Sequence, residues 1–203
     1  MSSLLFYTDS NCAQIATDTL VANREGEALG YVQKAIFLPS ANVIMAATGL
    51  ALLYDRWTTL VNHQRLAFDV DSLDAHTTQA LQHLWAEIES EGTSLTDYTA
   101  TIYHFGFSRE EGVIHTFAYR SENGFASEAL PYGLAMKPPL LSLEGIDYAS
   151  FPASSVEIML AQRAQERSAP GSAIRIGGEV WAIELDRDGF RSGYIGSLGP
   201  DED

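Results

Sequence analysis

The chain has 203 residues, of which 46% are hydrophobic, so we predict a single domain over residues 1–203 that buries its apolar side chains in one core. The formal net charge of −15 at pH 7 argues against a nucleic-acid partner, because phosphate binding depends on clustered Lys and Arg. No uninterrupted apolar run is long enough to cross a membrane, so we predict no membrane partner.

The first fifty residues alternate between apolar and polar side chains, which is typical of β-strands. Polar turns at Asp9–Asn11 and at Pro39–Ala41 divide this region into two hairpins. The predicted strands are Ser3–Tyr7, Cys12–Val21, Gly30–Leu38 and Asn42–Ala47.

Two helices follow, because apolar side chains then recur at a spacing of three or four residues. The first spans Leu50–Leu66, and the second begins after Ser72, its predicted N-cap, and stops at Gly92. Beyond an irregular stretch, Pro131–Pro152, a third helix and a last hairpin close the chain. The remaining predicted elements are the strands Thr101–Phe107, Val113–Tyr119, Ala173–Leu185 and Phe190–Ile195 and the helix Ala153–Arg167.

This order of strands, helix pair, strands, helix and strands predicts an α+β fold. The arrangement that suits it is a four-layer αββα sandwich, in which two antiparallel sheets lie between helical layers.

The first hairpin brings the start of the chain beside Asp18. Because Ser2 is small, we expect Met1 to be removed, which leaves a residue with both a hydroxyl and a free amine. An N-terminal amine has a pKa of about 8 and can accept the proton of the hydroxyl, directly or through a water. Ser2 is therefore a candidate nucleophile.

Lys34 is one of only two lysines in the sequence. If Gly30–Leu38 is a strand, Lys34 shares a mostly buried face with Val32. A buried ammonium needs a partner, and Asp18 is the nearest candidate. Such a pair would place positive potential beside Ser2 and favour the ionised hydroxyl; a purely structural ion pair between strands is the alternative.

Several stretches resemble the proteasome beta subunits of the N-terminal nucleophile (Ntn) hydrolase superfamily. The strongest resemblance is the spacing of a nucleophile, an Asp and a Lys, which here corresponds to Ser2, Asp18 and Lys34. The other similar stretches are Gln33–Pro39, Ala46–Gly49 and Gly177–Val180, which match the lysine strand, the oxyanion loop and the C-terminal strands of that family.

The resemblance implies an Ntn hydrolase fold and an activity. Ser2 would be nucleophile and base, Lys34 the amine that tunes it, and Asp18 the group that holds Lys34. A backbone N–H of Thr48 or Gly49 would bind the oxyanion, with the choice between them open.

The implied reaction is hydrolysis of a peptide or amide through an acyl-enzyme, with no cofactor. The family also implies stacked rings or another homo-oligomer, and we expect subunit contacts over Leu50–Glu91.

The later part of the chain departs from the family pattern. The family has an Asp before the Gly–Gly pair and a Ser near it, whereas Ala173 and Ile176 occupy these places here. Ser172 is the candidate substitute. Two other functions therefore remain open: a non-catalytic ring or scaffold subunit that retains Met1, and an amidase that acts on a small molecule.

Other residue types give weaker signals. The five histidines share no metal-ligand spacing, so we predict no metal site. The single cysteine, Cys12, cannot form an internal disulfide, and no secretory signal is visible at the start. We therefore expect a cytoplasmic protein.

Overall fold

A computed structural model describes residues 3–23, 26–65, 67–142, 144–170, 172 and 174–199. The contacts between residues divide the chain into two compact units. The first unit comprises the described residues of segments 1–8, 12–35 and 133–203, and the second comprises those of segments 9–11 and 36–132. The prediction of a single domain stays a prediction.

The elements are numbered in chain order. The helices are α1 (Ala51–Gln64), α2 (Val70–Ser90) and α3 (Ser155–Ser168). The strands are β1 (Leu4–Thr8), β2 (Cys12–Asp18), β3 (Leu20–Ala22), β4 (Ala28–Tyr31), β5 (Ala35–Leu38), β6 (Val43–Gly49), β7 (Ala100–Phe107), β8 (Ile114–Arg120), β9 (Ser127–Ala129), β10 (Gly133–Lys137), β11 (Glu179–Asp186) and β12 (Gly189–Ser197).

The first unit contains a five-stranded antiparallel sheet in the order β10-β1-β2-β11-β12 and the short β3–β4 ladder. Leu5 and Ala182 flank Ala16 on neighbouring strands, and cross-strand partners share a face of the sheet. These residues pack in one apolar cluster with Ile158 and Met159 of α3. The cluster fixes α3 against the strands that carry the start of the chain.

The second unit contains an antiparallel sheet in the order β5-β6-β7-β8-β9 together with α1 and α2. Helix α2 begins with a capping box, in which Asp69 accepts from the Ser72 N–H and Ser72 accepts from the Asp69 N–H. The apolar stripes of both helices join the sheet in a core that includes Met45, Trp57 and Ile102.

The predicted α+β fold on two antiparallel sheets is confirmed, and so are the first hairpin and the last hairpin. The prediction of one strand over Gly30–Leu38 is wrong, because β4 pairs with β3 whereas β5 belongs to the other five-stranded sheet. Lys34 lies in the connection between them. It is almost fully buried while Val32 is 50% exposed, so the two do not share a face as predicted.

Two further predictions are corrected. The stretch Pro131–Pro152, predicted to be irregular, contains β10, which pairs with β1. Its Gly, Ala and Lys residues have low strand propensity, so pairing with a neighbouring strand decides the conformation. The N-cap of α2 is Asp69 and not Ser72, which is the third helical residue of the capping box. Among the described residues no helix is long and apolar enough to cross a membrane.

Candidate active site around Asp18 and Lys34

Lys34 and Asp18 form a buried ion pair. The Lys34 Nζ donates to Oδ1 of Asp18 at 2.7 Å and to the carbonyl oxygen of Leu20 at 2.6 Å. The Asp18 side chain is inaccessible to solvent, and only 8% of the Lys34 side chain is exposed. Asp18 is the last residue of β2, so the strand register sets the position of the carboxylate. An ammonium has three donors, which leaves one N–H after these two bonds.

The Asp18 carboxylate accepts two backbone N–H groups in addition to Lys34. Ser3 donates its N–H to Oδ1 at 2.9 Å, and Gly177 donates its N–H to Oδ2 at 3.1 Å. Burial raises the pKa of Asp18, and the Lys34 ammonium and the two N–H groups oppose that shift. Burial likewise lowers the pKa of Lys34, and the Asp18 carboxylate opposes it. One carboxylate therefore connects Ser3, Lys34 and Gly177.

The predicted nucleophile, Ser2, lies outside the described residues. Ser3, which follows it, is fully buried. Its N–H bonds to Asp18, and its hydroxyl donates to Oε1 of Gln162 at 2.5 Å. The register of β1 against β2, which pairs Leu4 with Thr17, carries the chain start to the end of β2.

Thr48 and Gly49, the predicted oxyanion residues, end β6 in the second unit, whereas Asp18 and Lys34 belong to the first. They pair with Thr101 and Ala100 of β7. Gly49 has a φ of 96°, and a Cβ at this position would lie 2.0 Å from the carbonyl oxygen of Thr99. Only glycine fits this backbone.

The later family positions contain no acid or hydroxyl among the described residues. Ala173 lies outside them, and Ile176 is buried in the apolar cluster beneath α3. Ser172, the candidate substitute, donates its hydroxyl to Glu166 at 2.6 Å and accepts the N–H of Ile174. The Ser172 proton is therefore already bound to an acceptor.

Ser3, Gly177 and Gln162 were not predicted from the sequence to contact the site. Backbone donors such as the Gly177 N–H have no side-chain signature. Gln162 did have a signal, because it lies one helical turn after Ile158 on the buried stripe of α3. A polar residue at an apolar position of a helix indicates a specific buried partner.

A cavity of about 590 Å³ is lined by Thr19 and Gln33, which are next to Asp18 and Lys34 in sequence, and by Trp181 of β11, among others. In the pairing of β11 with β2, Val180 lies opposite Asp18 and shares its face of the sheet. Trp181 projects from the other face, because successive strand residues alternate. The ion pair is therefore not part of the lining of this cavity. Among the described residues, no group of three His, Cys, Asp or Glu side chains could hold a metal ion.

No protein-family model and no curated protein matches this sequence. The structure is similar to that of Anbu, an ancestral beta-subunit, from Yersinia bercovieri, with a TM-score of 0.65 and 12% sequence identity. The match covers 97% of this chain and 87% of that chain. At this identity the likeness concerns the fold alone, and it agrees with the resemblance found in the sequence. The chain therefore has an α+β fold of the proteasome beta-subunit type.

Proposed function

We propose that this protein is an N-terminal-serine hydrolase that cleaves peptide or amide bonds through an acyl-enzyme on Ser2 after removal of Met1. The observation that carries the proposal is the shared carboxylate: Oδ1 of Asp18 binds both the buried Lys34 ammonium and the N–H of Ser3. The residue beside Ser2 and the lysine are thus attached to one atom. The remaining Lys34 N–H is available to the Ser2 hydroxyl.

In the proposed reaction the free amine of Ser2 takes the proton of the Ser2 hydroxyl, directly or through a water. The oxygen adds to the carbonyl carbon, and the Lys34 ammonium stabilises the ionised form of the hydroxyl. Backbone N–H groups bind the oxyanion. The protonated amine then gives its proton to the leaving nitrogen, and the C–N bond breaks. Water attacks the resulting ester with the amine as base, which releases the acid and restores Ser2.

Peptide epoxyketones test this proposal, because they form a ring that needs both the hydroxyl and the free amine of an N-terminal nucleophile. Intact mass should first reveal loss of Met1. Mass mapping should then locate one adduct on Ser2, and the adduct should be absent from Ser2→Ala and strongly reduced in Lys34→Met. Properly trimmed, assembled protein that forms no adduct would contradict the proposal.

A non-catalytic ring or scaffold subunit is the second candidate, and one observation favours it. Ile176 and Ser172 offer no free hydroxyl proton to support an N-terminal amine. This function predicts retained Met1 and no adduct. If Ser2 is labelled, comparison of peptide substrates with small amides separates a peptidase from a small-molecule amidase.

We also propose that the protein works as a homo-oligomer, with subunit contacts on the α1–α2 pair. Light scattering after size-exclusion chromatography measures the mass of the assembly. A monomer at micromolar concentration would contradict this part of the proposal.

A further inference from the structure

Helix α3 carries a buried side-chain amide, that of Gln162, at a position one turn after apolar side chains. Gln162 is fully buried and follows Ile158 and Met159 on the stripe that packs against the sheet. A buried amide without partners is unfavourable, because it loses its hydrogen bonds to water. The contacts of Gln162 should therefore explain its presence.

Both ends of the amide have partners, and the partners fix its orientation. The Nε2 donates to the carbonyl oxygen of Pro138, and Oε1 accepts from the Ser3 hydroxyl at 2.5 Å. A carbonyl oxygen can only accept, so the nitrogen must face Pro138 and the oxygen must face Ser3. The Ser3 hydroxyl is consequently the donor in its bond to Gln162.

Ser3 is held at two points in different directions. Its N–H is bound to Asp18 on β2, and its side chain is bound to Gln162 on α3. One hydrogen bond allows a residue to rotate about the bond, whereas two bonds from separate elements fix its orientation.

We propose that Gln162 is a positioning residue that acts through Ser3 to aim the Ser2 nucleophile, an inference that rests on the function proposed above. The peptide group between Ser2 and Ser3 is planar, so the Ser3 N–H lies in the same plane as the Ser2 Cα. Anchoring both the N–H and the side chain of Ser3 sets this plane. Ser2 then has few torsions left to bring its hydroxyl to Lys34. Displacement of a reacting group by about 1 Å can lower a rate by roughly 100-fold.

The test compares Gln162→Met, which keeps the length of the side chain and removes both hydrogen bonds, with Gln165→Leu as the matched control. Gln165 lies on the same helix and binds the same loop, through the Pro139 carbonyl and the Leu141 N–H. The readout is the second-order rate of Ser2 labelling by a peptide epoxyketone. We expect Gln162→Met to lower this rate by about 10- to 100-fold. We expect Gln165→Leu to stay within about twofold of the unsubstituted protein.

A second variant gives a pH signature that a merely structural role would not produce. In Gln162→Glu the ionised carboxylate cannot donate to the Pro138 carbonyl, whereas the protonated carboxyl can donate to it and still accept from Ser3. The labelling rate relative to the unsubstituted protein should therefore rise as the pH falls from 8 to 6. Ser3→Ala in the Gln162→Met background should cause no further loss of labelling rate, because the hydrogen bond between Ser3 and Gln162 is already absent.

Several results would overturn the proposal. They are a Gln162→Met rate within twofold of the unsubstituted protein, an equal loss in Gln165→Leu, and a flat pH ratio for Gln162→Glu. If the unsubstituted protein does not label, the proposed function fails. NMR of the Ser3 amide then tests separately whether Gln162 anchors Ser3. At least tenfold faster Ser3 amide exchange in Gln162→Met would support the anchoring, and unchanged exchange would overturn it.

Discussion

Ser3 donates its backbone N–H to Oδ1 of Asp18 at 2.9 Å, on the oxygen that also binds the Lys34 ammonium. Ser3 is therefore part of the ion pair's hydrogen-bond network. A change in Asp18 acts on the position of Ser3 and on the charge of Lys34 together, and this coupling can be measured.

The Asp18–Lys34 pair should behave as one energetic unit. Asp18→Asn or Lys34→Met leaves one uncompensated buried charge, and each change should lower the free energy of unfolding by about 3–5 kcal/mol. The double variant carries no buried charge, so its loss should be smaller than the sum of the single losses by about 1–3 kcal/mol. Urea unfolding of all three variants measures this coupling.

Epoxyketone labelling of the same variants separates catalysis from stability. All three should lose Ser2 labelling, including the double variant, whose stability loss is smaller than the sum of the single losses. Asp188→Asn, at an exposed position in the β11–β12 turn, is the control and should change neither stability nor labelling. Additive stability losses would contradict the coupling of the pair, and a double variant that still labels would contradict its catalytic role.

The first hairpin could be derived from sequence because its signals are local. Alternation over β1 and β2 and the Asp9–Asn11 turn between them fix the pairing, and the pairing brings the chain start to Asp18. The partnership of Lys34 with Asp18 also followed, because a lysine among apolar residues needs an acid. The contact between Asp18 and Lys34 was therefore predicted correctly, although the predicted strand over Gly30–Leu38 was wrong.

The remaining site residues depend on contacts between distant parts of the chain. Gln162 meets Ser3 across 159 positions, and Gly177 meets Asp18 across 159 positions. The position of Gln162 on the buried stripe of α3 indicates that it has a partner, but no periodic pattern identifies that partner as Ser3 or connects Gly177 with Asp18. Strand β10 was missed for the same reason, since its pairing with β1 and not its own composition makes it a strand.

Gly49 should be irreplaceable because of the space around it and not only because of its backbone angle. Gly92 is the matched control: its φ is 95° against 96° for Gly49, but a Cβ on Gly92 would meet no atom within 4 Å. Gly92→Ala should cost about 1–2 kcal/mol for the unfavourable backbone. Gly49→Ala should cost about 1–3 kcal/mol more, because its Cβ would collide with the Thr99 carbonyl. Chemical denaturation of both variants measures the difference, and equal costs would contradict the argument.

His104 should make the protein lose stability as the pH falls below neutrality. It is fully buried in the second unit, and its Nε2 accepts the Trp57 indole N–H at 3.1 Å. Burial lowers the pKa of His104 to about 3. In the unfolded chain the pKa of His104 is about 6.5. Below pH 6.5 the unfolded state therefore binds a proton at His104 that the folded state does not bind. The contribution of neutral His104 to the free energy of unfolding is complete above pH 6.5 and is lost progressively between pH 6.5 and 3.

His104→Gln keeps an acceptor for Trp57 and removes the titration. Between pH 6.5 and 4.5 the unsubstituted protein should lose roughly 2–3 kcal/mol more of its free energy of unfolding than His104→Gln. The carboxylates that titrate in this range are common to both proteins, so their contributions cancel in the difference. Parallel stability curves for His104→Gln and the unsubstituted protein would mean that His104 binds its proton equally well in both states.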